Sequence, residues 1–298
     1  MEYWLSITTI PEQDQLLDVA RMAEDAGFHG ITVADHLLMP TRIESRYPYT
    51  EDGAMWWPSD TPWPDPFVTL AAMGAVTSRL RLASNICIAA MRDPITLAKA
   101  VSTASVLSNG RVVLGVAAGW LREEYELMGV DFGSRGRRLD EMLAVMRRLW
   151  SGQPVAHKGE FFGFEEGIMC PPPPSPVPVW CGGASAPALR RAARNDGWLG
   201  LPLDRAAAVP MVETLRRERA AAGLPDEGLS VNIALTEAHA PHTIAELEAA
   251  GVTGLMIMSP WMPNPFITAP WFDAAANPAL RESKRAAMLR FAEQVIHR

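Results

Sequence analysis

The sequence predicts an α/β fold, a (β/α)8 TIM barrel, and three observations predict it. Short apolar runs alternate with amphipathic helical stretches along almost the whole chain, eight such runs occur, and no shift in composition divides them. A single barrel domain over residues 1–298 is therefore expected.

The strands are read at residues 4–7, 31–33, 80–87, 112–116, 177–181, 198–201, 231–235 and 255–258. Each is short and apolar, as a parallel strand covered on both faces must be. The helix-to-strand connections repeat. Glu24-Asp25-Ala26-Gly27-Phe28-His29-Gly30-Ile31 is echoed by Glu248-Ala249-Ala250-Gly251-Val252-Thr253-Gly254-Leu255, each a helix closed by glycine, a short turn and a buried strand. After the second strand, residues 41–66 form an extended loop rich in proline and aromatics (Tyr47, Tyr49, Trp56, Trp57, Trp63). Its place at the C-terminal mouth suits a lid, a binding loop or an arm at a subunit interface. After the third strand, Asp93 followed by Pro94 marks a helix N-cap and first position. A helix from about Arg137 to Trp150 puts Leu139, Met142, Leu143, Met146 and Leu149 on one face. Its acids, Asp140 and Glu141, come early and its bases, Arg147 and Arg148, late, as the helix dipole favours. Residues 151–178 are a second interruption, a Pro-rich insertion ending in a polyproline-like connector before the fifth strand.

Bulk properties exclude several classes. With 48% hydrophobic and 20% charged residues, the composition is that of a soluble globular protein with a large core. A net charge of −7 argues against nucleic acid or an anionic membrane surface as partner. No apolar run approaches a membrane span, and no basic stretch precedes the first apolar segment, so neither a membrane anchor nor a secretory leader is expected. The three cysteines, Cys87, Cys170 and Cys181, lack metal-ligand or redox spacing, which fits a reducing cytoplasm. His157, His239, His242 and His297 have no ligand spacing either, so no metal site is expected; His239 and His242 are read as solvated loop residues. No nucleophile elbow, Walker loop or dinucleotide glycine motif is present.

In α/β barrels, ligands sit at the C-terminal ends of the strands. The fourth strand ends in Ala117, Ala118 and Gly119, small residues that admit a flat ligand or, equally, a tightly packed helix. At the exit of the second strand, Asp35 and His36 offer an acid and an imidazole able to exchange protons with a redox ring near neutral pH, against the alternative of a structural histidine. Ser84 and Asn85 are polar within an apolar strand, which suggests a bulge or a ligand-facing backbone. Cys87 reads as a small buried residue, since no base or cation stands beside it. In Val179-Trp180-Cys181-Gly182-Gly183-Ala184-Ser185-Ala186-Pro187 a strand runs into two glycines and a helix start, which favours a phosphate. Trp261, Phe266, Trp271 and Phe272 follow the eighth strand and suit an apolar pocket, an interface or the core.

The chain resembles the luciferase-like monooxygenase family, and within it the branch of probable F420-dependent oxidoreductases. The resemblance rests on Arg92-Asp93-Pro94 with Ala98-Lys99, on Leu107-Ser108-Asn109-Gly110-Arg111 through Gly119-Trp120, and on Glu124, Gly129, Arg135-Gly136, Glu141 and Trp150. It continues in Lys158-Gly159-Glu160-Phe161, Trp180-Cys181-Gly182-Gly183, Ala192-Ala193-Arg194 and Asp196-Gly197-Trp198, and in the arm from Tyr47-Pro48-Tyr49 to Trp63-Pro64-Asp65-Pro66. It implies a barrel that binds coenzyme F420, or alternatively FMN, at the strand C-termini. Asp35 or His36 would lie at the reactive ring as catalytic residues. Ser84 and Asn85 would form a bulge, often with a cis bond between them, backing the ring, with Cys87 and Ala118 beside it. Gly182, Gly183, Ala184 and Ser185 would hold phosphate. The chain also departs from the pattern. Asn109 stands where glycine is commoner, and Pro40 where sugar-phosphate dehydrogenase relatives have an aromatic residue. Trp120 replaces the acid of those relatives, so their substrate is not carried over. Ala118 replaces an arginine that grips FMN phosphate in bacterial luciferases, which tilts the expectation towards F420.

The implied activity is F420-dependent hydride transfer to or from a small organic substrate, with His36 in a proton relay. The alternatives are an FMN-dependent monooxygenase using O2 and a separate flavin reductase, or a flavin-binding barrel without activity. A homodimer or higher homo-oligomer is expected.

Overall fold

The computed structural model describes residues 1–7, 10–50, 52–264 and 267–297. Eight parallel strands close into a barrel: β1 (Glu2–Ile7), β2 (Gly30–Val33), β3 (Arg81–Ser84), β4 (Val112–Val116), β7 (Val179–Gly182), β8 (Gly197–Leu203), β9 (Ser230–Leu235) and β10 (Gly254–Met258), the last pairing with the first. The predicted strands are all present with small shifts at their ends, except that the third stops at Ser84, where the chain leaves the ladder. The helices around the barrel are α1 (Leu16–Asp25), α2 (Pro66–Ala75), α3 (Pro94–Leu107), α4 (Arg122–Leu127), α5 (Arg135–Leu149), α6 (Ala186–Ala193), α7 (Arg205–Ala221), α8 (Pro241–Ala250) and α9 (Arg281–Phe291).

Local chemistry sets the element ends. Asp93 caps α3 by accepting from Thr96 N at 2.8 Å, with Pro94 in the first turn. Gly27 and Gly251, the paired positions of the internal echo, both have positive φ (89° and 100°), the left-handed turn that closes a helix. Asn109 takes φ 54°, which an asparagine tolerates in a glycine's place.

Alternation along the strands divides the apolar residues into two cores. Outward residues such as Leu5, Ile31, Leu82 and Leu114 pack under the helices. Trp4, Ala83, Val113, Trp180, Leu199 and Met256 fill the barrel interior. Trp4 and Trp180 meet edge-on at 4.9 Å, and the Arg81 guanidinium lies 5.4 and 5.8 Å from their rings. These three groups close the N-terminal end and leave the opposite mouth for a ligand. Gly30 makes room for them, since a Cβ there would sit 2.2 Å from the Trp4 ring.

The insertion before β7 contains more than a proline-rich connector. A hairpin, β5 (Val155–Lys158) and β6 (Gly163–Gly167), docks on α5 through Glu141. The Glu141 carboxylate accepts from the backbone of Glu160, Phe161 and Phe162, each at 3.0 Å, and contacts His157 Nε2 at 2.9 Å. Burial by itself would raise its pKa, but His157 and these amides outweigh burial and lower it. Glu141 therefore acts as a clamp, a role its early position in the helix does not reveal.

His239 also differs from expectation. Its ring lies edge-on to Trp271 at 5.3 Å and Phe291 at 6.3 Å, and both ring nitrogens are buried without a partner among the described residues. Burial pulls its pKa down to about 4. His242 is exposed, as expected. Trp261 and Trp271 are core residues, and Phe266 lies outside the described residues. Among the described residues, no helix is long and apolar enough to cross a membrane, and no His, Cys, Asp and Glu cluster could hold a metal.

Candidate active site

The floor of the mouth is a bulge that follows β3. Ser84 is fully buried; its Oγ donates to Gly115 O at 2.8 Å and accepts from Gly115 N at 3.0 Å. A Cβ on Gly115 would lie 1.9 Å from Ser84 O, so only glycine lets the bulge settle against β4. Asn85 N donates to Val33 O at 2.7 Å, and the Asn85–Ile86 peptide is cis, one bond beyond the Ser84–Asn85 bond that the resemblance implies. The Ile86 side chain then crosses towards β7, and a Cβ on Gly182 would meet it at 2.2 Å. Cys87 is fully buried, and burial, followed by the charge of Asp35, raises its thiol pKa well above the ordinary value.

This geometry places three of the expected site residues. Ser84 and Cys87 keep their side chains beneath the floor, and Gly182 accommodates Ile86. These residues shape the mouth without presenting side chains to it. Asn85 and Ile86 remain partly exposed.

Asp35 leaves the end of β2 and turns inward. Its carboxylate takes both guanidinium nitrogens of Arg92, at 2.7 and 2.8 Å, and Oδ2 also accepts from Ile88 N at 3.0 Å. The side chain is 1% exposed. Its oxygens are thus engaged in tying the strand exit to the segment after the bulge. Asp35 anchors the site; the expectation that it handles protons beside His36 is not met by this geometry.

His36 meets a partner that sequence spacing does not reveal. Its Nδ1 lies 2.9 Å from Oε2 of Glu124, on α4, and the other carboxylate oxygen accepts from Leu37 N at 2.6 Å and Leu38 N at 3.3 Å. Glu124 is 1% exposed. The two backbone N–H groups and the imidazole converge on one carboxylate, and a carboxylate only accepts. The Nδ1 hydrogen is thereby assigned to the Glu124 contact, and Nε2 is left with its lone pair free. The neighbouring acid, Glu123, holds the same loop further on, accepting from Glu44 N at 2.8 Å and Ser45 N at 2.9 Å. The available signal was the Glu123–Glu124 pair opening a helix directly after a ligand-facing strand end.

The aromatic arm folds over His36. Trp63 meets the imidazole edge-on at 5.0 Å, and Trp57 lies 6.1 Å from it. Tyr47 contacts Trp57 at 5.0 Å and Trp120 at 5.2 Å. Burial, with a smaller contribution from Tyr49, pushes the Tyr47 hydroxyl up to about 12. Ala118, two residues before Trp120, is half-buried, its carbonyl accepting from Tyr125 Oη at 2.7 Å.

The fourth part is the corner after β7. Gly183 has φ 105°, its carbonyl accepts from Trp198 Nε1 at 2.9 Å, and Ser185 Oγ caps α6 by accepting from Ala188 N at 3.4 Å. Ala184 and Ser185 are exposed at the helix start. Since Ile86 packs on Gly182, floor and corner adjoin. Two clefts of about 190 and 320 Å³ lie elsewhere, beside His239 and Trp271 and beside Arg81 and Asp196.

Residues 4–296 match the family described as luciferase-like monooxygenase. The chain belongs to that family. It is 36% identical over 246 residues to the uncharacterized protein Rv0940c of Mycobacterium tuberculosis, covering 81% of this chain and 83% of the relative. The oxygenase component of the flavin-dependent trigonelline monooxygenase of Acinetobacter baylyi is 31% identical over 56% of this chain and 42% of its own length. The F420-dependent glucose-6-phosphate dehydrogenase of Microbacterium testaceum is 31% identical over 60% and 49%. The fold is shared with the coenzyme F420-dependent tetrahydromethanopterin reductase of Methanopyrus kandleri, with TM-score 0.73, 15% identity and coverage of 99% and 98%. This luciferase-like chain is an oxidoreductase, in a family whose named members include both flavin- and F420-dependent enzymes.

Proposed function

We propose that the protein is an F420-dependent oxidoreductase that moves hydride between the coenzyme and a small organic substrate, with His36 handling the accompanying proton. The observation that carries this reading is the His36–Glu124 pair at the mouth, 2.9 Å apart and held by a buried carboxylate. An imidazole with fixed Nδ1–H and free Nε2 is prepared to accept a proton and to return it.

The residues fit a flat coenzyme with an anionic tail. Asn85 and Ile86 offer a partly exposed floor, and the corner of Gly183, Ala184 and Ser185 offers backbone amides at a helix start. At Ala118 no guanidinium is available for an FMN phosphate, which favours the deazaflavin. Bound there, the coenzyme supplies the hydride chemistry. The chain's own residues do the rest. Asp35 and Arg92 fix the floor to β2, Glu124 orients His36, and the Trp57–Trp63 arm keeps water from the reacting atoms.

A second reading, an FMN-dependent monooxygenase served by a separate flavin reductase, draws on the same aromatic cover and on the 31% identity to a flavin-dependent oxygenase component. Titration with F420 and with FMN, followed by ring absorbance, separates the two. Saturable binding of F420 and turnover without oxygen are expected. Saturable binding of FMN alone, with turnover only when oxygen and a reductase are present, would overturn the proposal.

A further inference from the structure

Trp57 and Trp63 have a feature that the proton relay does not use. An indole carries one donor and no acceptor, and buried donors in folded proteins nearly always have a partner. Three other indoles follow the rule: Trp4 Nε1 donates to Glu2, Trp150 Nε1 to Ala98 O and Trp198 Nε1 to Gly183 O. Nε1 of Trp57 and of Trp63 are both buried with no partner among the described residues. Trp180 Nε1 shares this condition, but Trp180 packs against Trp4 inside the barrel.

The two unpartnered indoles are neighbours. Their rings meet at 5.8 Å and 80°, and each contacts the His36 ring. Their ring neighbours are aromatic, and among the described residues no cation lies over either ring. The Arg92 guanidinium is paired with Asp35, and the Glu124 carboxylate lies behind His36. Burial and Tyr49 raise the Tyr47 hydroxyl, and a hydrogen bond with Trp56 opposes them.

We propose that the indole N–H groups of Trp57 and Trp63 bind the oxygen of the substrate, and that the mouth beside His36 takes a neutral carbonyl compound with an apolar body. Two donors without an acceptor call for an acceptor atom on the ligand. A carboxylate or phosphate would enter without a counter-charge and against Glu124, so the oxygen is uncharged. The rings supply apolar, edge-on walls, and the contacts that hold them are individually weak, so a ligand can part them. The inference rests on the reading of this mouth as the substrate site.

The test uses the full-length protein with 15N-labelled indoles and two isosteric probe pairs: cyclohexanone with methylenecyclohexane, and acetophenone with α-methylstyrene. Resonances are assigned with Trp57→Phe and Trp63→Phe, which keep an aromatic ring and remove the N–H. At least one ketone should shift both indole protons downfield in a saturable way, while its hydrocarbon partner should not. Each Phe variant should weaken that ketone's binding by threefold or more. Equal shifts from ketone and hydrocarbon, no shift from either ketone, or wild-type ketone affinity in both Phe variants would each overturn the inference, leaving edge-to-face packing as the indoles' role. If a variant fails to fold, the wild-type comparison of ketone with hydrocarbon still decides. Coenzyme binding is scored separately by ring absorbance, so loss of F420 binding with intact ketone shifts would count against the proposed function alone.

Discussion

Exchange of Glu124 for glutamine should invert the tautomer of His36. In the native site the carboxylate only accepts, so His36 Nδ1 carries the hydrogen across the 2.9 Å contact. Glutamine can keep an oxygen towards Leu37 N and Leu38 N, but it then turns an NH2 towards His36. The imidazole must accept at Nδ1 and move its hydrogen to Nε2, where the proposed relay needs a lone pair. A positioned general acid or base contributes roughly 10²- to 10⁴-fold, so turnover should fall by that range, about 3–5 kcal/mol of transition-state stabilisation. Stability should fall by only about 1–2 kcal/mol, because the charge-assisted bonds become neutral ones without being removed. Glu124→Ala instead orphans three donors around a side chain that is 1% exposed, and should cost about 3–5 kcal/mol. Long-range 1H–15N correlation spectra of the imidazole report the tautomer directly, and denaturant unfolding reports the stability. An unchanged His36 tautomer in Glu124→Gln would refute the orienting role, whatever happens to turnover.

Other consequences follow from the same geometry. Asp35→Asn leaves Arg92, with 12% of its side chain exposed, without its carboxylate, and should destabilise the fold by about 3–5 kcal/mol in urea unfolding; a loss below 1 kcal/mol would show that the pair is not an anchor. Gly115→Ala puts a Cβ 1.9 Å from Ser84 O, so the bulge must shift, at about 1–3 kcal/mol, with displaced Asn85 amide resonances as the structural mark. His239 has a folded pKa of about 4 against 6.5 when free, so the unfolded chain binds the extra proton between these values. Stability due to this group is present above pH 6.5 and falls as pH drops towards 4, by at most about 3 kcal/mol. His239→Phe, which suits the edge contacts with Trp271 and Phe291, should lose that slope; a parallel pH profile for both proteins would contradict it.

Much of the barrel was legible because its signals are local. A buried parallel strand needs an unbroken apolar run, and a helix end needs a cap or a left-handed glycine, so Val112–Val116, Asp93–Pro94, Gly27 and Gly251 could be read one segment at a time. The β5–β6 hairpin could not, since both strands are largely exposed and polar and what holds them is a carboxylate on another element. The site was legible only in outline. His36 stands at a strand exit, the right place for chemistry, but its partner Glu124 is 88 positions away.

By itself, then, the order of residues determined the eightfold barrel, the end at which its mouth opens, and the presence there of an imidazole, a polar bulge and a glycine corner. Tertiary structure decided which of these groups face the mouth. It turned Ser84 and Cys87 under the floor, closed Asp35 onto Arg92, filled the space at Gly182 with Ile86, and set two unpartnered indoles beside His36. The physical reason is range. Periodicity and caps act over a few residues, whereas desolvation, hydrogen-bond partnership and side-chain orientation depend on atoms that only the closed barrel brings within a few ångströms.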